Sequence, residues 1–230
     1  FSPECGRSFL DVAARSVGTR LEVWTEGWVS ERGLADPSGT QIPDRESPTR
    51  FCVFTTTDGQ SWERVSGPVS WSDTRATWPS GLDFAPGKAG LFYVDTYPDL
   101  DGIRRAVVQG TDAVQAQEGR TVLPRTHVDP NPLPLQGGGI RLYHSRALEG
   151  ALAYSDSKDG VVFSESIGLE GLSGQTCFSP PERPSPPDAC YLDPFVLAVP
   201  DGRIVIYFSL FESLDNGQER KGIGRAWAVD

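Results

Sequence analysis

HVDPNPLPLQGGGIRLYHS, from His127 to Ser145, lies over CYLDPFVLAVPDGRIVIYFS, from Cys190 to Ser209, at a constant shift of 64 residues. Asp129 meets Asp193, Pro130 meets Pro194, Leu133 meets Leu197, Gly138 meets Gly202 and Tyr143 meets Tyr207. Nothing else in the chain restricts its fold so much. A fixed period means that one supersecondary unit is built several times and buries its apolar face against its own copies. Two weaker copies precede these. Asp11 stands thirteen residues before Trp24, and Pro79 stands fourteen before Tyr93, the spacing that also separates Asp129 and Asp193 from their tyrosines. Each copy reads as a strand of about six residues, a turn with Gly or Pro, and a second strand alternating apolar with other residues up to an aromatic.

A second signature follows the hairpin in two units. Thr56 to Trp62 is TTDGQSW and Ser157 to Phe163 is SKDGVVF. Asp-Gly makes a tight turn because glycine takes positive φ without a steric cost, so each copy joins a third strand to a fourth, and the aromatic is expected to pack back on its sheet. GIGRAWAVD at the C-terminus reads as a third strand whose fourth the N-terminal segment would supply, closing a ring. Four-stranded units in a ring make a β-propeller. The expectation is therefore an all-β, single-domain chain over residues 1–230 with four blades, a fifth and degenerate one being allowed between residues 24 and 80. The 25 glycines and 19 prolines fit many short strands joined by turns.

Charge and cysteines narrow the partners. The formal net charge is −10 and no Lys/Arg run tracks a phosphate backbone, which argues against nucleic acid. No apolar stretch approaches the roughly 18 residues of a membrane-spanning helix. Cys5, Cys52, Cys177 and Cys190 lack zinc-ligand spacing, so two disulfides are expected, Cys5 with Cys52 and Cys177 with Cys190. The second would close a proline-rich loop, stabilising by about 3 kcal/mol in the loop-entropy picture. Disulfides point to a secreted or periplasmic protein, and the absence of any methionine to an N-terminus lost either as a removed leader or by truncation; a monomer is expected.

The Asp-Pro opening, the glycine turn, the tyrosine-bearing second strand and the Ser/Thr-x-Asp-Gly-x-x-Trp/Phe turn resemble the propeller glycosidases. These are the arabinanase, xylosidase and invertase type, together with the sialidases and their Asp-boxes. The resemblance covers most of the chain at low similarity. It implies that Asp58 and Asp159 are structural, each accepting backbone hydrogen bonds in its own turn. It also implies that first strands line a central channel, so that Asp11, Asp129 and Asp193 converge at one mouth. In the furanosidase families such positions hold an aspartate base and an aspartate that tunes the acid, while a glutamate on another blade is the general acid. The pattern breaks at Pro79, where an aspartate would stand, and no blade opens with the Glu-Gly-Pro segment that carries the acid. Glu149 and Glu170 sit in Leu-Glu-Gly turns.

Two roles are open for Asp129 and Asp193. Aspartate before proline can cap its own turn by bonding backbone N–H groups two residues on. Alternatively, clustered carboxylates bind a sugar or a cation, calcium being suited because it accepts several carboxylates, carbonyls and waters. His127 and Tyr191 occupy matching positions two residues earlier and either meet a ligand or pack in the blade; Trp78 is the further aromatic expected at a ligand. His144 lies inside a second strand, and no nucleophilic triad is supported. The functional expectation is a non-catalytic propeller binding a small molecule, glycan or protein, with no cofactor beyond calcium. The alternative is a glycosidase using Asp11 or Asp129 as base and Asp193 as modulator. A four-bladed hemopexin-type propeller fits less well, because its repeats lack the Asp-Gly turn.

Overall fold

The computed structural model describes residues 8–28, 49–69, 76–77, 82–85, 88–95, 102–108, 120–172, 189–213 and 219–228. All regular structure among them is β-strand, in four antiparallel sheets that follow one another along the chain. The first sheet holds β1 (Ser8–Val17), β2 (Arg20–Trp28), β3 (Thr49–Thr56) and β4 (Glu63–Val69). The second holds β5 (Ala76–Thr77) and β6 (Leu82–Ala85), both paired with β7 (Lys88–Asp95), then β8 (Ile103–Val108) and β9 (Arg120–Leu123). The third holds β10 (His127–Pro134), β11 (Ile140–Arg146), β12 (Ala151–Ser157) and β13 (Ile167–Gly168). The fourth holds β14 (Cys190–Ala198), β15 (Ile204–Ser213) and β16 (Glu219–Ala228). Each repeat read from the sequence is thus one sheet. The proposed ring closure falls on residues 1–7, outside the described residues.

The sheets stack through two apolar clusters. Phe92, Val94, Ile103 and Leu123 of the second sheet meet Val128 and Leu142 of the third. Tyr143 and Leu152 of the third meet Val196, Ile204, Ile206 and Phe208 of the fourth. Leu142 and Tyr143 are adjacent on β11 yet serve opposite clusters, since consecutive strand residues point to opposite faces. Burial of each such side chain contributes roughly 1.5–3 kcal/mol. That two-sided burial is why the third sheet reads as apolar on both faces.

The Asp-Gly turns join β3 to β4 and β12 to β13, with Gly59 and Gly160 at φ of 72° and 71°. Asp58 Oδ1 accepts the N–H groups of Gln60 and Ser61, both at 2.8 Å, and the Thr56 hydroxyl at 3.0 Å. Asp159 Oδ1 likewise accepts Val161 N–H at 2.8 Å, Val162 N–H at 3.0 Å and the Ser157 hydroxyl at 3.0 Å. Those donors, the backbone ones foremost, hold both carboxyls down at about 2, because hydrogen bonds to the charged form favour it. The aromatics that follow differ from expectation. Phe163 reaches past its own sheet to meet Phe92 of the second edge to face, at 6.0 Å, whereas Trp62 stays 44% exposed. Cys52 and Cys190 are buried and disulfide-bonded, while Cys5 and Cys177 lie outside the described residues.

Candidate functional site

The first strands of the first, third and fourth sheets are irregular at the same place. On β1 the register runs Leu10↔Glu26 then Val12↔Thr25; on β10, Val128↔Ser145 then Asn131↔Tyr143; on β14, Leu192↔Ser209 then Phe195↔Tyr207. In each case one extra residue sits on the first strand, which defines a β-bulge. The bulged residues are Asp11, the Asp129-Pro130 pair and the Asp193-Pro194 pair. In the second sheet β5 pairs with β7 at Thr77↔Val94 and β6 pairs with it at Leu82↔Leu91; residues 78–81, Pro79 among them, lie outside the described residues. The repeat aspartates are therefore bulge residues, and proline stands where the fourth is missing.

Asp129 and Asp193 have φ of 53° and 52°, in the left-handed region. Such a conformation costs a non-glycine residue on the order of 1 kcal/mol, and a following proline restricts it further. It persists here because the surroundings hold it. Asp193 N–H donates to Ser145 Oγ at 3.1 Å and to Asp129 Oδ2 at 3.4 Å, and Val196 N–H donates to Asn131 Oδ1 at 3.1 Å. Three bonds thus fasten β14 to the third sheet around the two aspartates. The Asp129 carboxylate reaches the next sheet, whereas the bonds that Asp58 and Asp159 accept from backbone N–H groups lie within their own turns. Asp129 is half-buried and Asp193 exposed. Carboxylates so placed offer acceptors to hydroxyl donors from solvent.

The Asp193 N–H lies within reach of the Asp129 carboxylate, so these two positions are neighbours across the third and fourth sheets. Asp11 lies at the matching bulge of β1; its side chain, like Trp78, is outside the described residues. The rings of His127 and Tyr191 pack inward. His127 meets His144 with centroids 4.8 Å apart, and Tyr191 meets Phe208 at 5.5 Å, both edge to face. Residues 144 and 208 are again 64 apart, so one ring pair is built twice, as two histidines in one sheet and as tyrosine and phenylalanine in the next. His127 Nδ1 donates to Pro124 O at 3.0 Å. His144 is fully buried, its Nε2 lies 3.3 Å from Ser166 Oγ, and its Nδ1 meets no well-formed hydrogen-bond partner among the described residues. Burial first, and His127 second, push its pKa down to about 3.

Ser145 and Asn131 went unnoticed in the sequence. Ser145 carried a signal, since it aligns with Ser209; Asn131 aligns with Phe195 and carried none. Glu149 is exposed and ion-paired with Arg146. No group of three or more His, Cys, Asp or Glu is arranged to hold a metal among the described residues. A shallow cleft of about 230 Å³, lined by Gly18–Leu21, Thr56, Thr57 and Gly59, lies at the end of β1 away from Asp11.

With this geometry in place, the fold can be named: the chain is all-β and shares its β-propeller fold with solved glycoside hydrolases. No protein-family model and no curated protein matches the sequence. Among solved structures, the catalytic domain of a GH62 α-L-arabinofuranosidase from Coprinopsis cinerea is 11% identical, with a TM-score of 0.59, over 99% of this chain and 72% of that one. An α-L-arabinofuranosidase of Clostridium thermocellum is 15% identical, with a TM-score of 0.58, over 94% and 68%. The GH32 β-fructofuranosidase of Bombyx mori is 11% identical, with a TM-score of 0.65, over 94% and 46%. At such identities the likeness is one of fold.

Proposed function

We propose that the chain binds a glycoside at the bulges of its first strands, with Asp129 and Asp193 accepting hydrogen bonds from sugar hydroxyls and Asp11 joining them, and that it does so without hydrolysis. The observation that carries this reading is the pair of left-handed, bulged aspartates on adjacent sheets, linked by the Asp193 N–H to Asp129 carboxylate bond. Backbone strain repeated at matching positions on adjacent sheets supports a role for these residues beyond strand entry. Neither Glu149, paired with Arg146, nor Glu170, in its turn, is presented as an acid.

Hydrolysis is the second reading, favoured by the arabinofuranosidases and β-fructofuranosidase among the structures that share the fold. It would use Asp11 or Asp129 as base and Asp193 as modulator, and it needs two carboxyl groups spanning a glycosidic bond at a separation fitted to inversion or retention. One experiment separates the readings. Wild type and Asp129→Asn are incubated with arabinan, xylan, fructan and sialylated glycans, with and without calcium; binding is followed by calorimetry and released sugar by mass spectrometry. Binding without release, abolished in Asp129→Asn, is the expected result. Release by wild type alone establishes the hydrolase, and neither binding nor release refutes both.

A further inference from the structure

His144 and Phe208 hold the same place in successive sheets, and each meets a ring from its own first strand edge to face. Phe208 fills that place with carbon alone. His144 does the same packing while carrying two nitrogens into a position with no exposure to solvent. One of them, Nδ1, meets no well-formed hydrogen-bond partner among the described residues. Ser155, one pair along β12 on the same face, has a hydroxyl that is likewise buried without a partner. Orphaned polar atoms cost stability, and packing alone gives no reason to keep a histidine where the sister sheet manages with phenylalanine.

We propose that His127 and His144 bind one divalent transition-metal ion, of the zinc or copper kind. Three observations carry this. First, one nitrogen of each imidazole has a fixed oxygen beside it. Pro124 O can only accept, so His127 Nδ1, 3.0 Å away, carries the proton and Nε2 keeps its lone pair. His144 Nε2 lies 3.3 Å from Ser166 Oγ, and as donor to that oxygen it leaves the lone pair on the orphaned Nδ1. A histidine whose far nitrogen donates to a fixed oxygen is oriented as metal ligands are. Second, the spacing fits. With metal–nitrogen bonds of about 2.0–2.1 Å, two imidazoles on one ion at right-angled to tetrahedral geometry have ring centres roughly 4.5–5.2 Å apart. The two rings here are 4.8 Å apart. Third, His127 is presented by a strained turn. Thr126 has φ of 82°, where a β-branched residue is an outlier, and the turn is held by His127 N–H to Pro124 O at 3.3 Å and Ala147 N–H to Thr126 O at 2.9 Å.

His127 is half-buried, which gives the ion an approach from solvent and leaves its remaining positions to water. Imidazole suits zinc and copper, whereas calcium takes oxygen ligands, so this site differs in kind from the carboxylates of Asp129 and Asp193. The proposal is independent of the glycoside reading.

Calorimetry of the chelator-stripped 230-residue chain with zinc alone tests it, and electron paramagnetic resonance with copper(II) alone counts the nitrogens on the ion. One equivalent should bind, two imidazole nitrogens should couple to the copper, and excess calcium should displace neither ion. His127→Tyr combined with His144→Phe rebuilds the ring pair of the fourth sheet. Loss of a group that merely orients a ligand costs roughly 10–100-fold in metal affinity, so the double variant should bind about 100-fold more weakly or worse. Circular dichroism melts check that it folds. His127→Gln, at the half-buried end of the pair, should by itself weaken binding about 10-fold or more. No binding of either ion at millimolar concentration, a copper spectrum without nitrogen coupling, or affinity unchanged in these variants overturns the proposal.

Discussion

Replacing His144 by phenylalanine, the residue its repeat partner Phe208 supplies, tests how the buried ring pair is held. In the folded chain the His144 imidazole titrates at about 3, against 6.5 for the free side chain. Between those values the unfolded chain binds a proton that the folded chain refuses, so stability rises with pH there. The contribution of neutral His144 is complete above pH 6.5 and is lost as pH falls towards 3. At pH 5 the loss relative to pH 8 is about 2 kcal/mol, one and a half pH units at about 1.36 kcal/mol each. For a chain of this size that corresponds to roughly 4–8 °C in Tm. The assay is thermal and urea unfolding of wild type and His144→Phe at pH 8, 6.5 and 5 with disulfides intact. The stability difference between the two proteins should shift by about 2 kcal/mol towards the variant between pH 8 and 5. His127 and the carboxylates are present in both and cancel to first order. Parallel acid limbs for the two proteins would refute the reasoning, since they would mean that His144 accepts its proton in the folded state without penalty.

Gly224→Ala puts a Cβ 2.1–2.3 Å from ring carbons of Phe208, so it should cost about 1–3 kcal/mol in urea unfolding, much of it recovered by adding Phe208→Leu. Asp159→Asn removes a carboxylate whose folded pKa, about 2, lies below its ordinary 3.8. Its stabilising effect is therefore present above pH 3.8 and lost as pH falls through 2, and the gap in Tm between wild type and variant, clear at pH 7, should close over that acid range.

Where the fold was legible, the signal was local. Asp58-Gly59 and Asp159-Gly160 fix turns through bonds spanning two or three residues, and such chemistry is written in the segment itself. The spacing from Asp129 to Tyr143 and from Asp193 to Tyr207 revealed hairpins because both strands of each are contiguous. What crosses between sheets was not legible. The bond from Asp193 N–H to Asp129 depends on how two sheets stack and on a left-handed backbone that proline-preceding aspartates seldom adopt. The inward packing of His127 and Tyr191 was open from sequence alone, since a ring at a strand start reads alike whether it faces solvent or a neighbour. Only the residues opposite, His144 and Phe208, decide it.

The bulge common to the first strands bears on how such a chain can change. Because the extra residue lies outside the ladder, its side chain is exempt from the demands that pairing and burial make on its neighbours. Duplicating one unit would copy a functional group into a new position around the stack, already aimed, without redesigning a strand. Losing it is equally open to the repeat: the second unit has Pro79 in the aspartate's place in sequence, and its sheet still forms from β5 to β9. The repeat thus separates architecture, which every copy must keep, from a set of exchangeable positions in which new specificities can arise one sheet at a time.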